Sequence, residues 1–312
     1  MTFEELIKSD SPFLTEGSII ELIRRQTTLQ LDPNIENAVL LLSDDGREAL
    51  AKIYSQYVDI AVEHNLPILL FTPTWRANPE RIASFGRSSV SEINQLAVEF
   101  LKNVRRRYSS FQDNIFIGGL IGCKGNAYKP EEALSTSDAI LFHEEQVEAL
   151  KSAGVDFIQA ATLPALTEAV GIATLLAEKE IPDLISFITR PDGNILDGTP
   201  LYKAMETIDK VVSPKPTSFM VNCVHPALFH KSLENQHDKL SYVLSRLAGL
   251  QANAAAMSPE ELDEMDHLES DTPYNFADSM LKLHTHFNLN LLGGCCGTNF
   301  DHLSSMARQL KP

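Results

Sequence analysis

The chain has 312 residues, 44% apolar and 22% charged, enough for one large core or two modest ones and too ordinary in composition for wholesale disorder. Its 42 acidic against 26 basic side chains give a formal net charge of -16, which repels phosphate backbones and anionic lipid and excludes nucleic acid and membrane surfaces as expected partners. The four cysteines, Cys123, Cys223, Cys295 and Cys296, are too sparse for a secreted disulfide scaffold and are judged as thiols.

Residues 1–10 lack the basic flank and apolar core of a secretory signal, so a cytoplasmic location is expected. Phe13–Thr15 is taken as an opening strand. Residues 47–65 then place Leu50, Ile53, Tyr54, Tyr57, Ile60 and Ala61 at helical spacing. Residues 67–71 form a short apolar run of the kind shown by strands buried on both faces. A second helix is marked by Ile93, Leu96, Ala97, Phe100, Leu101 and Val104, and a second such strand by residues 115–117. Residues 157–177 are the most membrane-like, but Pro164, Glu168 and Gly171 interrupt them, so they read as a buried strand followed by a helix.

The same criteria place strands at 155–160, 184–189, 218–222 and 288–292, while residues 247–253 read either as a short strand or as a helix end. With that segment counted, eight strands alternate with helices, and no Pro/Ser-rich linker divides the chain. The expected fold is α/β, a single (β/α)8 TIM barrel spanning residues 1–312 as one domain, with its active site at the carboxyl ends of the strands. An open doubly wound sheet is the alternative. Residues 258–271, rich in Asp and Glu, read as a solvated loop or helix over the barrel rim.

Cys295 and Cys296 lie in Gly293-Gly294-Cys295-Cys296-Gly297-Thr298, immediately after the last apolar run, and Cys223 follows another, in Asn222-Cys223-Val224-His225-Pro226. Glycines let the backbone turn so that adjacent thiols can point at one centre. Three thiolates converging there would suit a catalytic Zn²⁺, which keeps its fourth position open. Three buried small hydrophobes, or a vicinal disulfide between Cys295 and Cys296, are equally open on spacing alone. Cys123 has no clustered partner. His225 in an extended chain would project on the same side as Cys223 and orient or compete for a metal, or is equally a loop imidazole near the barrel mouth, while His284 and His286, two residues apart, share no helical face.

Other motifs are weaker. Gly119-x-x-Gly122-x-x-Gly125 is not a phosphate-loop pattern and reads as a tight turn, there is no G-x-S-x-G elbow, and Arg105-Arg106-Arg107 fits a helix end. Trp75, the lone tryptophan, is either a wall against a cationic methyl donor or a packing residue.

These two cysteine motifs resemble those of the zinc-dependent homocysteine S-methyltransferases, and Leu14-Thr15-Glu16-Gly17, Gly118 to Gly122, Gly154-Val155-Asp156-Phe157, Ser186-Phe187 and Asp197-Gly198-Thr199 follow in the order that the family shows. The resemblance implies one Zn²⁺ on Cys223, Cys295 and Cys296, substrate contacts from Glu16, Gly17, Thr72, Trp75 and Asn222, and methyl transfer from a small sulfonium or ammonium donor to a thiol, with homocysteine giving methionine. Small molecules are then its only implied partners, and oligomeric state stays open. The chain departs from the family where Ala161 replaces the glutamate that holds the substrate ammonium, and where Glu16 replaces an aspartate. A different thiol or selenol acceptor is therefore a rival reading, and a zinc- or thiol-binding homologue without turnover is another.

Overall fold

The computed structural model describes residues 1–257 and 270–310. Eight parallel strands pair in chain order, and the last closes on the first. They are β1 (Phe13–Thr15), β2 (Ile68–Phe71), β3 (Ile115–Gly122), β4 (Phe157–Leu163), β5 (Asp183–Phe187), β6 (Ser218–Val224), β7 (Leu247–Ala252) and β8 (Leu291–Gly294). The fold is the expected (β/α)8 TIM barrel, not an open sheet. The ambiguous segment at 247–253 is β7, hydrogen-bonded to both β6 and β8. All but Ser270 and Asp271 of the acidic stretch at 258–271 lies outside the described residues.

Alternation along each strand divides two cores. Leu14, Ile68, Ile117, Ile158, Ile185, Val221 and Leu292 face the surrounding helices, while Leu69, Phe71, Phe116, Phe157, Leu184, Met220 and Leu291 fill the barrel. Burial on both faces is why the strands read as unbroken apolar runs. The glycines of β3 belong to its ladder, since Gly118 to Gly122 pair with Phe157 to Ala161 of β4.

Local chemistry sets the helices between them. The helix expected at 47–65 is α3 (Asp44–His64), started by the Ser43 side chain accepting from Gly46 N–H and stopped by Asn65 in the left-handed region. At the amino end of the barrel, α1 (Phe3–Ile7) is held by a capping box between Thr2 and Glu5. Its Phe3 ring stacks on Phe157 with centroids 4.0 Å apart and 5° between planes, so a five-residue helix plugs the barrel floor. Helix α2 (Ile19–Gln26) leads away from the opposite, carboxyl end.

Candidate metal centre

At that carboxyl end β6 and the turn after β8 bring three thiols together. Cys223 is buried and Cys295 and Cys296 are partly exposed, all of them free, and their sulfurs lie within 4.8 Å of one another. Cys223 Sγ is 2.7 Å from Cys295 Sγ, which is 4.0 Å from Cys296 Sγ. The β8 turn is lashed down by backbone bonds, Cys295 N–H to Ala252 O at 2.7 Å and Ala254 N–H to Cys296 O at 2.9 Å. Glu21 of α2 accepts Gly297 N–H at 2.7 Å, and Thr298 Oγ1 donates to Cys295 O at 2.7 Å. The vicinal disulfide is thus not formed. Cys123 is apart from the cluster, buried near Gly125 O, and burial pushes its thiol up to about 12.

The donor set fits a soft divalent cation. Bonded to Cys223 and desolvated, the Cys295 thiol titrates well above the ordinary thiol range, so a cation is what would make three thiolates tolerable in one place. Beside them Asn253, 1% exposed, donates to Cys223 O at 2.9 Å, and its Oδ1 has no partner among the described residues. Nothing in the motif spacing pointed to Asn253; its place just after β7 was the only signal.

Over residues 14–310 the chain matches the family model of homocysteine S-methyltransferase. It belongs to that family. In sequence it is 24% identical over 310 residues, 90% of each chain, to homocysteine S-methyltransferase YbgG of Bacillus subtilis. It is 24% identical over 245 residues to homocysteine S-methyltransferase of Escherichia coli, covering 73% of this chain and 74% of that one. In structure it superposes on the metallated form of the Escherichia coli homocysteine methyltransferase MmuM with a TM-score of 0.79 and 20% identity, over 98% of this chain and 99% of that one. The protein is therefore a methyltransferase, as its cysteine motifs implied, and no helix among the described residues is long and apolar enough to cross a membrane.

The other residues singled out in this methyltransferase fall into three groups. Asn222 joins the cluster, its Nδ2 standing 3.1 Å from Cys223 Sγ. Gly17 lies where a Cβ would stand 2.6 Å from Tyr57 Oη and 2.8 Å from Thr298 Oγ1, so only glycine lets the β1 end approach the β8 turn. Glu16 continues the β1 edge with its side chain: both carboxyl oxygens accept Phe71 N–H, at 3.1 and 3.0 Å. Burial holds this carboxyl well above the usual range despite that bond.

Thr72 is fully buried, and its hydroxyl accepts Leu120 N–H at 2.9 Å and meets Thr74 Oγ1 at 2.6 Å, tying β2 to β3. One face of Trp75 is covered by the Arg76 guanidinium, 4.0 Å from the ring centroid. Its Nε1 edge packs where a Cβ on Gly122 would stand, 2.4 Å away.

His225 does not turn toward the thiols. Its Nδ1 accepts Ala227 N–H at 3.2 Å, capping the helix Pro226–Glu234, and its Nε2 is 3.0 Å from Asp271 Oδ2. The same-side expectation fails because Cys223 has φ +58, which breaks strand alternation between the two residues. His284 and His286 each bond a backbone carbonyl, Leu289 O and Lys282 O.

Proposed function

We propose that this methyltransferase moves a methyl group from a small sulfonium or quaternary ammonium donor to homocysteine, giving methionine, as one domain over residues 1–312 with Zn²⁺ on Cys223, Cys295 and Cys296. S-methylmethionine, S-adenosylmethionine and betaine are the donors considered. The reading is carried by one observation: three free thiols within 4.8 Å at the catalytic end of a barrel of this family. Free thiols also suit a reducing compartment and hence the cytoplasm.

Bound there, zinc supplies the positive charge that keeps an acceptor thiol deprotonated near neutral pH. The chain's own residues supply the rest. The β7 and β8 turns, bonded through Ala252, Ala254, Cys295 and Cys296, fix the mouth that receives the acceptor sulfur. In the transfer a bond forms between that sulfur and the methyl carbon, and the methyl–sulfur or methyl–nitrogen bond of the donor breaks. The electron pair leaves with a neutral sulfide or amine, so no side chain has to act as a general acid. Orientation of two reactants in one mouth is the contribution the fold is built to make.

A second reading has its own observation. Ala161, 5% exposed, sits on β4 opposite Gly122, and the Glu16 carboxyl is bound to Phe71 N–H and held above the usual range. An acceptor thiol or selenol without an α-ammonium group suits such a mouth. Metal analysis together with a methyl-transfer assay over homocysteine, a desamino analogue and the three donors tests both readings. Metal-free protein with no transfer to any thiol would end both.

A further inference from the structure

Asn222 spends its whole carboxamide on the surroundings of one cysteine. Its Oδ1 accepts Thr162 N–H at 2.9 Å and Ser186 Oγ–H at 2.5 Å. Its Nδ2 donates to Thr162 Oγ1 at 2.8 Å and to Cys223 Sγ at 3.1 Å. Two donors directed at one end of an amide identify that end as the oxygen. The NH₂ end is thereby committed to the sulfur.

The backbone is bent to allow this. In a regular strand, neighbouring residues point to opposite faces, and Asn222 could not reach the sulfur of Cys223. Cys223 has φ +58 and Thr162 has φ +62. The β6–β7 register shifts between Asn222 and Val224, and the β4–β5 register shifts between Ala160 and Leu163. Both residues occupy the left-handed region that non-glycine residues avoid, a cost that persists only where the surroundings impose it. One amide, 3% exposed, connects the two bends.

We propose that Asn222, oriented by Ser186 and Thr162, is a positioning residue for Cys223. It turns the sulfur toward Cys295 and draws charge from it through the N–H···S bond, setting how firmly the thiol cluster holds its metal. This rests on the reading of Cys223, Cys295 and Cys296 as metal ligands. It predicts that a hydroxyl on β5, which touches no cysteine, acts on the metal through Asn222.

The test loads wild type, Asn222→Asp, Asn222→Ala and Ser186→Ala with Co²⁺ and reads chelator competition and the thiolate-to-cobalt absorption band. Losing an outer hydrogen bond to a ligand typically weakens metal binding about 10- to 100-fold, and that range is expected for the Asn222 variants, with the band moved to lower energy. Ser186→Ala should move both readouts the same way and less. A second arm, on reduced metal-free protein, follows iodoacetamide labelling by peptide mass. Without the N–H···S bond Cys223 is a poorer thiolate and should label several-fold more slowly in Asn222→Ala, while buried Cys123 stays protected and reports an intact fold. Wild type without metal but with this labelling change would sink the ligand reading and leave the positioning role standing. Metal affinity and band unchanged in both Asn222→Asp and Ser186→Ala, or Cys223 labelling unchanged in Asn222→Ala with Cys123 protected, overturns the proposal.

Discussion

At the amino end of the barrel Phe3 stacks on Phe157, Asp183 and Thr217 exchange bonds at the start of β5, and Arg246 binds Asp209 through two nitrogens at 2.9 and 3.0 Å. At the carboxyl end, 2.7 Å separates two sulfurs, and Thr162 and Cys223 hold positive φ within β4 and β6 themselves, not in a connection between elements as Asn65 does. One end is tied together by stacked rings and paired charges, and the other crowds thiols and bent strand ends into one mouth. Bent strands and crowded thiols at a functional end, carried on a packed opposite end, are what a barrel permits, since its strand ends can vary without disturbing its floor. Substitutions at the two ends should therefore separate into losses of chemistry and losses of stability.

The largest effect is expected at the thiols. Serine at Cys223, Cys295 or Cys296 should remove the metal and lower kcat/KM about a thousandfold or more, since each tenfold is about 1.4 kcal/mol of barrier and metal charge supplies several. Thermal unfolding of the metal-free proteins should stay close to that of the metal-free wild type. Full metal content in each single variant would break the assignment.

Phe3→Ala should do the reverse. Removing a buried phenylalanine costs about 3–5 kcal/mol, and a lower denaturation midpoint in urea with unchanged kcat/KM per folded molecule is the expected result. A large loss of activity in the folded fraction would show that the floor and the mouth are not separable.

Asp183 sharpens the same contrast through pH. Burial pushes its carboxyl up from 3.8 to about 7, against the bonds from Thr217 and the charge of Arg246. A raised folded-state pKa means that the folded protein binds this proton more tightly than the unfolded chain. Its contribution is fully present below the unfolded value and is lost as pH rises toward the folded one. At about 1.4 kcal/mol per unit, the change over this window is at most ~4 kcal/mol. The stability difference between wild type and Asp183→Asn, measured by urea unfolding, should shift against wild type between pH 4 and 7. A difference that stays constant across that window would refute the buried proton.

Seven of the eight strands and the three thiols were legible because both rest on short-range signals, apolar runs buried on two faces and cysteines placed just after them, whereas β7 could as well have been a helix end. What was illegible rests on backbone geometry that no residue type announces. Nothing in Asn222-Cys223 marks a left-handed cysteine, so strand alternation misdirected His225. A five-residue helix is too short to show periodicity, so the plug formed by Phe3 stayed hidden among residues noted only for lacking a signal. Trp75 was noticed for its chemistry and Thr72 through the family resemblance, but one ring face is taken by Arg76 and the hydroxyl by β3, neighbours that only the folded chain supplies.

The smallest and most informative effect concerns Ala161. It faces the mouth from β4 opposite Gly122, where a longer acidic side chain would bring a carboxylate to the place that now has none. Glu16 makes a poor substitute because its oxygens already accept Phe71 N–H and burial favours its neutral form. A charge-assisted hydrogen bond contributes about 1.5–3 kcal/mol, so Ala161→Glu should raise kcat/KM for homocysteine about ten- to a hundredfold. The same variant should lose activity toward the desamino thiol, whose apolar chain would then face an unpaired carboxylate. That crossing of preferences distinguishes a charge effect from a change in fold, which would move both substrates the same way. If the native protein already prefers homocysteine strongly and gains nothing from the new glutamate, the substrate ammonium is held elsewhere in the mouth, and homocysteine stands as the acceptor.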